Sequence, residues 1–391
     1  MTGAATPQSR LVSLDALRGF DMFWILGADE VGHALAKTWD IAPLRFISGQ
    51  LDHEAWAGVH FYDLIFPLFV FIAGVSVVFA VPRHVEKFGR AGAARRILVR
   101  GLILFLLGML YNGGFSHAWP DVRIMGVLQR IALAYTASAL LFVYVSPRVI
   151  GAIFVALLAG YWALLTFVPV RNFCLEQEAV AARFGGQKPP REVVRAAFDA
   201  THDDVRGQYG PGLNLTNELD FEVLPGRMYD RYWDPEGLLS TLPGIATCLL
   251  GLFAGRWLRR SDRNAHEKAL GLVLAAAACL AAGYLWGVEF PVVKKIWTST
   301  FVLVAGGWAL ALLALFYAVI DVWGWRRWAA PFVWIGMNPI TLYLASALIP
   351  FGDIAAHFVG YNQPLFLSVA SLGLVFLLAW FLHSRKIFLR V

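Results

Sequence analysis

A series of apolar runs, each close to twenty residues long, constrains this chain more than any other feature. FPLFVFIAGVSVVFAV, IALAYTASALLFVYV and LFLSVASLGLVFLLAWFL are three of them. A helix needs about 20 residues to cross a hydrocarbon core about 30 Å thick, and in lipid its backbone must satisfy its own hydrogen bonds. With 58% hydrophobic and only 15% charged residues, the chain departs far from the composition of a soluble domain. The expected fold class is all-α, a polytopic integral membrane bundle of about 10 transmembrane helices. The spans are predicted near 11–36, 60–81, 93–112, 122–145, 148–170, 237–258, 267–288, 296–320, 329–350 and 365–384.

The connections between these runs alternate in charge. RHVEKFGRAGAARR, WLRRSDRNAHEK, WGWRRW and the tail HSRKIFLR form one set, whereas the other set is poor in Lys and Arg except for Lys294 and Lys295. The first set, with both termini, is therefore expected in the cytoplasm. Topology accounts for the formal charge of +6, so no nucleic-acid partner is implied. The N-terminus has no A-x-A-like exit, and the first span is expected to stay. Cys248 and Cys279 fall inside apolar runs and Cys174 in a polar segment, which implies no disulfide framework. The long polar segment at about 171–236 faces outward and reads as a lid or binding loop, with a short amphipathic helix near EVVRAAF.

Polar groups inside or beside the spans carry the functional signal, because each needs a partner or a wet cavity. Asp15, Arg18 and Asp21 recur every three residues along the first span, which suits a self-compensating Asp15/Arg18 pair that fixes helix packing. Asp29 stands about 21 Å beyond Asp15 at 1.5 Å per residue, near the outer face. His53 and Asp63, in LDHEAWAGVHFYDLIFP, lie at about the same depth. An imidazole oriented by a carboxylate is the minimal general base. The competing reading makes His53 an interfacial residue beside Trp56 and Asp63 a helix cap.

Arg123 marks the outer edge of VRIMGVLQRIALAY, with Gln129 and Arg130 about two turns deeper. Arg130 requires an anionic partner, such as Asp21 or a ligand phosphate. Lys294 and Lys295 read as snorkelling side chains, and in WIGMNPITLY Pro339 should kink a helix that Asn338 ties to a neighbour. H-E-x-x-H, G-x-S-x-G, a Walker loop and paired cysteines are all absent from the sequence, and no metal is expected.

In order along the chain, SLDALRG, HEAWAGVHFYDLIFPLFVFIAG, VRIMGVLQRIALAY, YWDPEGLLSTLPGIATCLLG and GMNPITLYL resemble the heparan-alpha-glucosaminide N-acetyltransferase family of transmembrane acyltransferases. The resemblance runs from about Leu11 to Val391 and implies one acyltransferase domain over 1–391 with a periplasmic insertion at about 171–236. It implies transfer of an acetyl or longer acyl group from cytoplasmic acetyl-CoA to an amino sugar, such as a terminal glucosamine, on the outer side. The reactive histidine of the family's H-x-x-W-x-G motif falls on His53, with Trp56 and Gly58. An Asn of the family's first helix falls on Asp29.

Under this resemblance His53 serves as general base or acyl carrier, oriented by Asp29 or Asp63. Arg130, Gln129, Arg95, Arg96, Arg259 and Arg260 are the expected donor-side residues. Trp56, Asp220, Asp234, Glu236 and Asn338 are expected on the acceptor side, and Gln129 or Asn338 would meet the oxyanion. Family members carry an Asp-Arg pair before DPEG, whereas here Asp220 precedes Phe221, so the acceptor is expected to differ. The chain is expected to be a bacterial inner-membrane member that lacks the luminal domain of the animal enzyme, and to be a homodimer. The alternatives are a sugar permease or sugar-binding membrane protein, or an O-acyltransferase of a cell-envelope glycan.

Overall fold

The computed structural model describes residues 11–114, 116–118 and 121–388. Helix dominates them, and one short ribbon pairs Val170 with Val205 and Arg171 with Asp204, antiparallel. Among the described residues, seven helices are long and apolar enough to cross a membrane, and a pair bent by 66° adds an eighth candidate. Two features reconcile that count with ten expected spans. The Phe61–Tyr111 segment has 51 residues, more than twice what one crossing needs. The polar first helix, at 12–38, is interrupted by a π-helical turn, Trp24–Ala28, where Gly27 has φ 119°. All ten expected stretches contain helix.

Two compact units divide the chain. Of the described residues, one contains 11–52, 261–274 and 310–388, and the other contains those of 53–260 and 275–309. In the first unit the Val12–Phe23 and Ala330–Gly336 helices approach backbone to backbone. A Cβ on Gly336 would stand 1.8 Å from the Asp15 carbonyl oxygen, and one on Gly19 would stand 1.7 Å from that of Phe332. Arg18 donates to Asp15 Oδ1 and to the Gly336 carbonyl, each at 3.2 Å. The expected pair therefore also fastens a second helix. Pro339 opens the Pro339–Leu348 helix just after the bend, and Asn338 Nδ2 donates to the Ile387 carbonyl at 2.9 Å.

The second unit is built around the long helix. A 3₁₀ turn, Phe61–Leu64, leads into Ile65–Tyr111, which breaks at Gly89 with φ 70° and ψ 176°, a conformation that favours glycine. The charged connection expected between two spans is therefore helical except for this break, because its Glu, Lys, Arg and Ala residues are strong helix formers. The first arm packs tightly on the Thr241–Leu258 helix. A Cβ on Gly251 would stand 1.9 Å from the Phe71 carbonyl oxygen, and one on Gly74 equally close to that of Cys248. Such small-residue contacts let helices associate where lipid supplies no hydrophobic drive.

The segment at about 171–236 is more ordered than the expected loop. It forms the Gln177–Arg183, Arg191–Asp199 and Leu215–Val223 helices over a core of Phe173, Val194, Phe198, Phe221, Tyr232 and Trp233. Phe221, at the position where the family pattern has Arg, is fully buried there. Arg191 reaches over it from the Arg191–Asp199 helix and donates to the Phe221 and Leu224 carbonyls at 2.6 and 2.9 Å.

Candidate active site

The H-x-x-W-x-G loop is held by its own carboxylate. His60 caps the Phe61–Leu64 turn, and Asp63 returns from the third position of that turn to accept from the His60 backbone N–H. Asp63 Oδ2 takes this bond at 3.0 Å and a second from Glu54 N at 3.1 Å. Its other oxygen, Oδ1, lies 2.9 Å from His53 Nδ1. The cap and the histidine partner, alternatives in the sequence, are thus the same residue. Asp63 is fully buried, whereas the His53 side chain is 54% exposed. With Nδ1–H donated to Asp63, the lone pair of Nε2 is left for chemistry.

The remaining residues of the loop fix its path. Gly58 has φ 129°, and a Cβ there would press within 3.2 Å of Glu54 Cγ. Glu54 pairs with His60 at 3.1 Å. Trp56 Nε1 donates to the Tyr209 carbonyl at 2.8 Å and its ring meets Trp233 edge-on, so Trp56 fastens the loop to the 171–236 segment.

Lys294, read from sequence as a snorkelling side chain, stands in this site. Gly58 N donates to the Val292 carbonyl at 2.9 Å and Ala57 bridges Val293, which lays the 291–298 turn beside the histidine loop. Lys294 Nζ is 3.1 Å from Asp63 Oδ1, 2.9 Å from His53 Nδ1 and 3.4 Å from His53 Nε2. Burial pushes the Lys294 ammonium below the usual lysine range, opposed by attraction to Asp63 and Glu236. One sequence signal pointed here: Lys294 and Lys295 are cations on the side where the positive-inside pattern has few. Lys295 goes elsewhere, to 4.0 Å from Asp230.

The other expected residues take varied positions. Arg123 forms a two-pronged pair with Asp234 at 2.7 and 2.8 Å and a third bond to Glu236 at 2.7 Å. Burial raises the Glu236 carboxyl, reinforced by Asp234 and opposed by Arg130 and Arg123. Asp220 accepts from Leu238 N at 2.9 Å and Asp234 N at 3.4 Å, and burial pushes it up to about 7. These carboxylates, expected on the acceptor side, are engaged in folding the DPEG turn. Gly237 is required beside them, since a Cβ there would stand 1.8 Å from Asp220 Oδ2.

Arg130 is fully buried, over the Trp297 ring at 4.8 Å, and donates to the Pro235 carbonyl at 2.8 Å and to Ser240 Oγ. These direct partners are neutral, while the acidic charge expected from sequence comes from Glu236, Asp234 and Asp220 nearby rather than from Asp21, and nothing in the sequence marked Ser240 or Trp297. Arg130 Nε and Nη1, like both amide atoms of buried Gln129, have no hydrogen-bond partner among the described residues.

Arg95, Arg96 and Arg260 are exposed, and Arg259 Nη1 donates to the Val78 carbonyl at 3.0 Å. Val78 lies about 20 Å along its helix from Ile65, at 1.5 Å per residue. Arg259 thus stands far down the span from the histidine. Asp29 opens the Asp29–Thr38 helix in the first unit, and Asn338 belongs to the bent pair of that unit, where its amide is committed to Ile387. This contact is the tie to a neighbouring segment that the sequence suggested for Asn338. Among the described residues, no group of three or more His, Cys, Asp or Glu is placed to hold a metal ion.

Fold and site together define a multi-pass helical membrane protein with a histidine–carboxylate pair at the mouth of a span. The sequence pattern of the heparan-alpha-glucosaminide N-acetyltransferase catalytic region matches residues 10–176. Heparan-alpha-glucosaminide N-acetyltransferase from Homo sapiens is 26% identical over 431 aligned positions, covering 98% of this chain and 60% of the human protein. The Mus musculus protein of the same name is 26% identical over 425 positions, covering 98% of this chain and 61% of its own length. The chain is thus similar to the heparan-alpha-glucosaminide N-acetyltransferase family, in its catalytic region over residues 10–176 and to these two proteins along nearly its whole length. It spans about 60% of the length of these curated relatives.

Proposed function

We propose that this protein carries an acetyl group across a bacterial cytoplasmic membrane, from acetyl-CoA inside to the amine of an amino sugar outside, with His53 at the transfer step. The observation that carries the reading is the 2.9 Å contact between buried Asp63 and exposed His53. Kinship with the N-acetyltransferases supports the reaction class.

The chemistry follows from the pair. Asp63 holds Nδ1–H, and Nε2 takes the proton of the attacking amine as its nitrogen bonds to the thioester carbon. Collapse of the tetrahedral centre breaks the carbon–sulfur bond, and the imidazolium returns its proton to the leaving thiolate. An acyl-imidazole route uses the same Nε2 lone pair to take the acetyl group first. Either way the Asp63 carboxylate stabilises the charged imidazolium. The exposed Arg95, Arg96 and Arg260 suit CoA phosphates at the far mouth, and the unpartnered N–H groups of Arg130 suit an oxygen of the donor arm.

Proteoliposomes loaded with acetyl-CoA and supplied with external glucosamine test the proposal. External N-acetylglucosamine forming at a rate set by internal acetyl-CoA is the expected result. Product absent from vesicles of both insertion orientations contradicts it.

A further inference from the structure

We propose that Lys294 is a catalytic residue of the transfer, the cation that receives the oxyanion when the acyl carbon becomes tetrahedral. The inference rests on the proposed acetyl transfer and adds a group that the histidine–aspartate pair does not provide. Neither Asp63 nor neutral His53 can neutralise a developing negative oxygen, because one is an anion and the other is occupied with the proton.

The geometry carries the assignment. Lys294 Nζ lies 3.4 Å from His53 Nε2, the atom that must face the reacting carbon. One of its three N–H groups is used by Asp63 Oδ1 at 3.1 Å. Although Nζ is 2.9 Å from His53 Nδ1, that nitrogen has no lone pair to offer while its proton is donated to Asp63. Of the other two N–H groups one faces the Nε2 lone pair at 3.4 Å until that nitrogen takes the amine proton, and the third is left for a substrate oxygen, on a side chain that is 20% exposed.

The support behind Lys294 is stiff, as a preorganised charge requires. Val293 N donates to Thr298 Oγ1 at 3.0 Å, Trp297 N to the Lys294 carbonyl at 2.9 Å, and Thr298 N to the Val293 carbonyl at 3.1 Å. Thr300 Oγ1 closes the turn on the Pro291 carbonyl at 3.0 Å. An alternative role as a plain tether for Asp63 needs no such stiffness and no approach to Nε2.

The test uses the full-length protein in detergent with acetyl-CoA and glucosamine, comparing wild type, Lys294→Met, Lys294→Arg and His53→Ala. Lys294→Met is expected to lower kcat about 100-fold or more, with KM for acetyl-CoA and the melting temperature close to wild type. Lys294→Arg, which keeps a cation, is expected to recover at least tenfold of that loss. A Lys294→Met protein with near-normal kcat, or one whose defect lies only in KM or melting temperature, overturns the assignment. If His53→Ala is dead in that same experiment, the acetyl-transfer reading survives without Lys294. A wild-type protein that acetylates nothing overturns both.

Discussion

Asp63 joins fold to chemistry within one side chain. Its Oδ2 closes the turn that starts the long helix, and its Oδ1 addresses His53 and Lys294. Replacing it with Asn would present an amide where Nδ1–H is now accepted and favour the wrong tautomer of His53. Asp63→Asn is therefore expected to cost about a thousandfold or more in kcat, measured with acetyl-CoA and glucosamine. Asp63→Ala should add a fall in melting temperature, because it also removes the cap. His53 and Asp63 were legible in the sequence, since ten residues of loop and turn join them and both fall at one end of a span. Lys294 was not, because its contact crosses 231 residues of chain and depends on the backbone pairing of 57–58 with 292–293.

At the scale of elements, the outer segment and the DPEG turn depend on buried acids and Arg123. Truncating Arg123 would leave Asp234, almost fully buried, without its charged partner. Arg123→Ala is expected to destabilise the protein by roughly 3 kcal/mol, read as a lowered midpoint in denaturant or thermal melts. The acids also make stability depend on pH. Asp220 keeps its proton up to about 7 in the folded protein and only to its ordinary 3.8 when unfolded, so the folded state holds the extra proton between these values. That stabilisation is complete below the lower value and is lost as pH rises through about 7. Glu236, Asp230 and Glu218 are raised in the same direction by burial. Melting temperature should therefore fall between pH 5 and pH 8, and Asp220→Asn should flatten the slope. The sequence disclosed this segment as polar with a short helix near EVVRAAF, found at Arg191–Asp199, but not its core, which joins Phe173, Phe198, Phe221 and Trp233 from separate short pieces with no shared period.

Over the whole molecule, hydropathy located the helices well because lipid leaves the backbone no other choice. The breaks at Gly27 and Gly89 were not visible, since isolated glycines are common in membrane helices and only φ tells which ones turn. The sidedness on which vectorial transfer depends is open to direct test. Gln187→Cys in the outer segment should react with a membrane-impermeant thiol reagent in intact cells. Lys87→Cys, beside the break at Gly89, should react only after the membrane is opened. The reverse pattern would invert the topology and the direction of transfer.

The central claim is that His53 performs the transfer. Acetylation of glucosamine by His53→Ala, in protein that inserts, melts and binds acetyl-CoA like wild type, tests it most directly. No product above the uncatalysed background is expected from this variant; turnover at a rate near wild type would show that His53 is not the transferring group.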